Sequence, residues 1–171
     1  MLHIYYGNGK GKTTAAVGLT VRAVGSGMKV AFFQFLKNGS SSEISVLEEL
    51  ENVTVICCEE CQKFTFAMND LEKNEVTLCH NEMLRKAAEL LRSNSVQLVV
   101  LDEFIDAYNK KLIDTELADD FINNDLSNGE IVMTGRNPLD KLKKRADYLT
   151  EMNAVKHPFD NGITARKGIE Y

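Results

Sequence analysis

The sequence predicts a three-layer α/β fold, a mostly parallel sheet with helices on both faces, and three observations predict it. Runs of five to seven largely apolar residues alternate with helix-type segments, the pattern of strands that are covered on both sides. The first run opens directly into a glycine-rich loop and a helix. Polar residues then collect where several of the apolar runs end, which in a parallel sheet is the edge that binds ligands.

The elements follow in order. Leu2-His3-Ile4-Tyr5-Tyr6 reads as the first strand, and Thr13 to Val24, rich in Ala, Val and Leu, as a helix that Gly25-Ser26-Gly27 stops. Lys29 to Phe35 is the second strand, Leu36 to Ser42 a polar loop, Glu43 to Glu51 a helix and Val53 to Cys57 a third strand. Asp70 to Arg92 carries a helical apolar stripe through Leu71, Val76, Met83, Leu84 and Leu91. Val96 to Leu101 is a buried-type strand closing in Asp102-Glu103. Leu112 to Leu126 is helical, Glu130 to Thr134 a strand, Leu139 to Ala146 a short helix and Tyr148 to Met152 a last strand. Pro138 and Pro158 fall in loops, and no linker or repeat divides residues 1–171, so one domain is expected.

The loop Gly7-Asn8-Gly9-Lys10-Gly11-Lys12-Thr13-Thr14 suits a polyphosphate. Its glycines let backbone amides face an anion without Cβ clashes, and the following helix turns its positive end the same way. Lys12 supplies a point charge to phosphate oxygens and Thr13 an oxygen ligand for Mg²⁺. The usual phosphate-loop pattern places glycine where Tyr6 stands, so this loop departs from it at one residue. Asp102-Glu103, after an aliphatic strand, matches a carboxylate that faces the loop threonine and holds Mg²⁺; the plainer reading is a helix N-cap. Together they make the fold P-loop NTPase-like.

Other candidates are weaker from the residues alone. Arg136 ends a strand and is placed to meet an anion or to form a structural ion pair. Arg22, ten residues beyond Lys12, reads as a surface ion pair or a nucleotide contact. Gln34 and Lys37 close the second strand, where a polar contact to a nucleotide or second substrate is plausible. Phe64 and Phe66, two residues apart, read first as core or a short strand. The tail from Lys156 to Tyr171 mixes turn residues with apolar anchors and is expected to fold over the body. Cys58-Glu59-Glu60-Cys61 has the spacing of a zinc half-site or a redox pair. Neither a second half-site nor a thioredoxin-like context follows in sequence, and free thiols are expected for all four cysteines.

Composition narrows the class. Hydrophobic residues make up 44% and charged residues 26%, which excludes a disordered chain, and the formal charge of −5 gives no nucleic-acid footprint. No apolar run approaches the roughly 20 residues that cross a bilayer, and no signal peptide is read at Met1, so a cytoplasmic protein is expected.

Gly7 to Ala16, Arg22-Ala23-Val24-Gly25, Gln34-Phe35-Leu36-Lys37, Leu101-Asp102-Glu103, Thr134-Gly135-Arg136 and the tail from Val155 to Tyr171 resemble the P-loop type of ATP:corrinoid adenosyltransferase of the bacterial cobalamin pathway. The blocks run in family order over essentially the whole chain, and a non-glycine at the Tyr6 position is the family's habit. The resemblance implies that Co(I) of a reduced corrinoid attacks the 5′ carbon of ATP and that triphosphate leaves. It implies that Gly7, Asn8, Gly9, Lys10, Gly11, Lys12, Thr13 and Thr14 hold that triphosphate, with ATP reversed relative to other P-loop enzymes. Thr13 with Asp102 or Glu103 would position Mg²⁺, and Arg22 would lie toward the adenosine. Phe64 and Phe66 match the aromatic pair that displaces the lower axial ligand of cob(II)alamin, with Phe66 standing where well-known members have tryptophan. The resemblance further implies a homodimer and an external electron donor such as a flavoprotein. Two other readings stand beside it: a small-molecule kinase, which needs a base for its acceptor, and a non-catalytic protein that ATP switches.

Overall fold

The computed structural model describes residues 1–126 and 128–169, apart from the side chains of Phe159 and Asp160. The elements are β1 (Leu2–Tyr6), α1 (Lys12–Gly25), β2 (Val30–Gln34), α2 (Ser42–Glu48), β3 (Val53–Cys57), α3 (Asp70–Arg92), β4 (Leu98–Asp102), α4 (Phe104–Asn109), α5 (Thr115–Asn124), β5 (Glu130–Gly135), α6 (Asp140–Arg145) and β6 (Tyr148–Glu151). Short 3-10 turns occur at Thr65–Ala67 and Pro158–Asn161. All six strands pair parallel in the order β3-β2-β4-β5-β1-β6. The predicted α/β class is therefore what the chain adopts, and the sheet is parallel throughout.

Side-chain alternation along the strands builds a core on each face. Leu2, Ile4, Phe33, Val99, Leu101, Ile131 and Met133 pack with α3, α4, α5 and α6. Phe32, Leu98, Val100 and Val132 pack with Ala16 and Ala23 of α1 and Ile44 and Leu47 of α2. β2 and β4, inside the sheet, are buried at every position.

The sequence reading placed the strands to within two residues. It missed α4, because six residues are too few to display a period; Phe104, Ile105 and Ala107 hold that helix by complete or near-complete burial. The fifth helix begins at Thr115, not Leu112. Asp114 caps it by accepting from the amides of Glu116 and Leu117, while Leu112 and Ile113 enter the core ahead of the cap. The second helix ends at Glu48, short of Glu51.

Candidate active site

The same alternation that builds the core delivers the polar groups. On β2, β4 and β5, the residues two places beyond Phe32, Val100 and Val132 are Gln34, Asp102 and Thr134, and each is buried. Gln34 and Asp102 are direct register partners at the carboxyl edge. Period two thus turns all three toward the α1 face, where Thr13 lies in the first turn of the helix.

Asp102 is the hub. Its Oδ1 accepts from Thr13 Oγ1 at 2.8 Å and from Thr134 Oγ1 at 2.7 Å. Thr134 Oγ1 in turn accepts from the Glu103 amide at 2.8 Å. Sequence reasoning included Thr134 in a motif but gave it no role; its place opposite Asp102 in the sheet is what supplies one. Two buried oxygens have no hydrogen-bond partner among the described residues, Asp102 Oδ2 and Gln34 Oε1. Gln34 Nε2 donates to Ser41 Oγ at 3.3 Å. Orphaned acceptors of this kind cost about 1–3 kcal/mol each, so two of them on register-paired residues mark a place for a donor or a cation.

The charges around the hub alternate. Lys37 Nζ lies 3.2 Å from Glu103 Oε1 and 3.9 Å from Asp102 Oδ2. Burial works to lower the Lys37 pKa, but the Glu103 and Asp102 carboxylates outweigh it and the net shift is upward. Burial raises the Glu103 pKa, Lys37 opposes that, and the neighbouring charge of Asp102 adds to the rise. One lysine stands against two carboxylates in this group. Glu103 also adopts the left-handed conformation, φ 59°, as the residue before α4, so the backbone itself turns at this carboxylate.

On the loop side the sign reverses. Lys12 Nζ donates to the Gly9 carbonyl at 2.8 Å, closing the lysine over its own loop. Its pKa is lowered, first by burial and then by the guanidinium of Arg136, with Asp106, Glu103 and Asp102 opposing. Two cations held within electrostatic reach of one another are relieved by an anion between them. The first turn of α1 leaves its amides without intrahelical acceptors, as every helix start does.

Gly7 and Gly9 serve a second purpose that the sequence did not reveal. The segment after β6 passes so close that a Cβ on Gly9 would stand 2.7 Å from the Met152 carbonyl oxygen, and one on Gly7 nearer still. The Gly9 amide donates to that carbonyl at 2.7 Å, and Asn8 Oδ1 accepts from the Ala154 amide at 3.1 Å. Asn8 and Gly9 therefore anchor the tail to the loop. Farther on, Gly168 and Ile169 line, with Lys10, Thr13, Thr14, Lys37 and Ser41, a cleft of about 450 Å³, within the usual range for small-ligand sites. Of the tail expected to fold over the body, Gly168 and Ile169 reach this cleft; Glu170 and Tyr171 lie outside the described residues.

Phe64 and Phe66 are not core, correcting the first reading of the pair. They are 78% and 87% exposed, and their rings stack nearly parallel, 6° apart in plane with centroids 5.6 Å apart. The turn at Thr65–Ala67 brings both to the same side, and Met68 next to it is buried as the anchor. A capping box at Asn69 and Glu72 fixes where α3 begins, and Lys63 pairs with the same Glu72.

Arg22 is not brought to this place within one chain. It lies in the last turn of α1, about 15 Å along the axis from Lys12 by helical rise, and lines a separate pocket with His3 and Tyr148 near the amino ends of the strands. Arg136 is exposed, and its carbonyl accepts from the Gly7 amide at 3.3 Å. No described helix is long and apolar enough to cross a membrane.

The family profile described as ATP:corrinoid adenosyltransferase BtuR/CobO/CobP matches residues 1–171. A corrinoid adenosyltransferase of Pseudomonas aeruginosa is 36% identical over 176 residues, spanning all of this chain and 83% of the relative. One from Sinorhizobium is 32% identical over 96% of this chain and 77% of its own length. One from Escherichia coli K12 is 31% identical over 98% of this chain and 84% of its own.

Proposed function

The chain belongs to the ATP:corrinoid adenosyltransferase family, and from that premise we propose that residues 1–171 form one catalytic domain that transfers the 5′-deoxyadenosyl group of ATP to the cobalt of a reduced corrinoid. Co(I) supplies the electron pair of the new Co–C bond, the C5′–O bond breaks, and inorganic triphosphate carries that oxygen away. One observation carries the reading beyond nucleotide binding in general: a stacked, solvent-exposed pair, Phe64 and Phe66, on the loop following β3. A phosphate loop alone serves a kinase equally well. Exposed paired aromatics supply what a kinase does not need, a flat apolar platform for a large planar ring.

The residues divide the work. Lys12, the amides at the start of α1 and Arg136 bind and orient the triphosphate, so its charge is compensated as it departs. ATP lies with its phosphates on the loop and C5′ outward, toward the corrinoid. Thr13, Asp102 and Glu103 would hold Mg²⁺, and the fit rests on the orphaned Asp102 Oδ2, the orphaned Oε1 of its register partner Gln34 and an all-oxygen donor set. When bound, Mg²⁺ neutralises part of the charge on the leaving triphosphate. Thr134 fixes the Asp102 carboxylate through one oxygen and leaves the other for that purpose. Phe64 and Phe66 displace the lower axial ligand, which makes the cobalt easier to reduce. The proposal includes a separate electron donor of flavoprotein type, pairing of two chains, and work in the cytoplasm without nucleic acid or membrane.

Incubation with ATP, Mg²⁺ and chemically reduced cobalamin tests the reading. Formation of a Co–C bond with triphosphate as co-product is expected. ADP as the nucleotide product would instead identify a kinase, and tight ATP binding without turnover a nucleotide-gated binding protein.

A further inference from the structure

A second cluster of ligating side chains lies at the base of the aromatic loop. Cys58, Cys61 and His80 are all buried, and their sulfur and nitrogen atoms lie within 4.8 Å of one another. Cys58 is shared with a second group, Glu60 and Cys79, of the same compactness. Cys58 and Cys61 follow β3, whereas Cys79 and His80 come from the middle of α3. This is the second half-site that the sequence did not display: it arrives as an adjacent Cys-His pair on a helix, a spacing that signals nothing by itself.

We propose that Cys58, Cys61 and His80 form a zinc site that ties the Phe64/Phe66 loop to α3, with Cys79, within 4.8 Å of Cys58 but outside the first group, closing in as the fourth ligand. The distances fit the ion. Cys61 Sγ and His80 Nε2 are 3.6 Å apart. With Zn–S of about 2.3 Å and Zn–N of about 2.0–2.1 Å, a tetrahedral site sets that edge at about 3.6 Å. His80 is oriented as a ligand is. Its Nδ1 lies 2.8 Å from the Leu112 carbonyl oxygen, which can only accept, so Nδ1 bears the proton and Nε2 offers its lone pair to the thiols. The Leu36 amide shares that lone pair at 3.2 Å, and a metal would displace this long bond. Leu36 is itself held at φ 58° one residue before Lys37, so loading the site also frees the turn that presents Lys37.

The donor set selects the metal. Thiolate and imidazole favour a borderline-soft ion in tetrahedral geometry, and zinc outranks ferrous iron and cobalt for such donors. Binding replaces the thiol protons, one released to solvent per ligating cysteine, and changes no oxidation state. The benefit is positional. Cys61 lies three residues before Phe64 and Cys58 directly follows β3, so a staple here fixes both rings relative to the sheet. The metal site stands on its own geometry; only its use in adenosyl transfer rests on the proposed function.

The test uses the full chain purified with reductant and washed with a weak chelator. Elemental analysis should find about one zinc per chain. Cys61→Ser and His80→Ala should each fall below about a tenth of that, and Cys57→Ser, outside both groups, should stay near one. Should the variants fold poorly, Co²⁺ titrated into the metal-free wild type should give thiolate-to-cobalt charge-transfer bands and tetrahedral d–d bands. A reduced wild-type protein that takes up neither zinc nor cobalt overturns the proposal. So does a Cys58–Cys61 disulfide in a protein that, once reduced, binds no metal. Adenosyl transfer is scored separately: zinc uptake without transfer leaves the metal site standing and removes the enzymatic reading instead.

Discussion

The phosphate-loop site and the Cys58–Asn69 loop share the carboxyl edge of one sheet but are built by opposite means. In the first, position comes from strand register: Gln34, Asp102 and Thr134 are successive uses of the same alternation that packs Phe32, Val100 and Val132. All three are buried, and Asp102 accepts hydrogen bonds from Thr134 and from Thr13. In the second, position comes from turns and caps, and the rings of Phe64 and Phe66 face solvent. A register-built site tolerates little movement, as suits compensation of fixed charge. A turn-built platform can adapt to a bulky planar partner, and a thiol-imidazole staple at its base would limit how far.

Substitutions that hit one region and spare the other break or sharpen this contrast. The largest effect is expected from Lys12→Ala, which removes the charge closing the loop. Adenosylation should fall roughly 10³-fold whether the corrinoid is supplied as Co(II) or Co(I), the scale of losing one preorganised partner to a developing anion. Unchanged turnover and ATP affinity would remove the phosphate-loop assignment.

Phe64→Ala with Phe66→Ala should separate the two regions most clearly. Transfer starting from Co(II) with a weak reductant should slow by about 10²-fold, while transfer from chemically made Co(I) should lose less than about threefold. Equal losses in the two assays would show that the rings merely bind corrinoid.

Thr134→Val keeps the shape but takes one donor from Asp102 and the acceptor from the Glu103 amide. A stability loss of about 1–2 kcal/mol in denaturant unfolding is expected, with activity down about tenfold and the Mg²⁺ requirement shifted upward. Activity that drops with no change in Mg²⁺ dependence would mean Thr134 acts on the fold alone.

The smallest effect concerns Glu103 in the absence of ligands. Its folded-state pKa lies above the ordinary 4.5 because of burial first, against Lys37 and with Asp102. Between the unfolded and folded values the native state holds a proton that the unfolded chain lacks, so stability falls as pH rises through that window. Glu103→Gln removes the penalty. At neutral pH it should raise the melting temperature by about a few degrees while lowering activity, and the gain should vanish as pH falls to 4.5. A lower melting temperature at neutral pH would contradict the strained-carboxylate account.

Legibility in the sequence followed the same divide. The strands, the loop from Gly7 to Thr14 and the carboxylate Asp102 announce themselves through apolar runs and spacing. The role of Thr134 was within reach, since it repeats on β5 the offset of Asp102 on β4, but only once the strands are known to be neighbours. The exposure of Phe64 and Phe66 was hidden because apolar side chains read as core whichever way a turn points them. Only their resemblance to a known aromatic pair singled them out. α4 was too short to show a period, and Cys79-His80 carries no spacing signature. The packing need behind Gly7 and Gly9 depends on Met152, far away in the chain, which no local pattern can report.

The orientation of the nucleotide decides between this account and its rivals, and a crystal structure with ATP, Mg²⁺ and a corrinoid measures it directly. Phosphates should lie cradled by residues 7–13, with a metal against Thr13 and Asp102 and C5′ facing a cobalt whose lower side meets Phe64 and Phe66. A γ-phosphoryl group directed at the second substrate, with C5′ turned away, would contradict it.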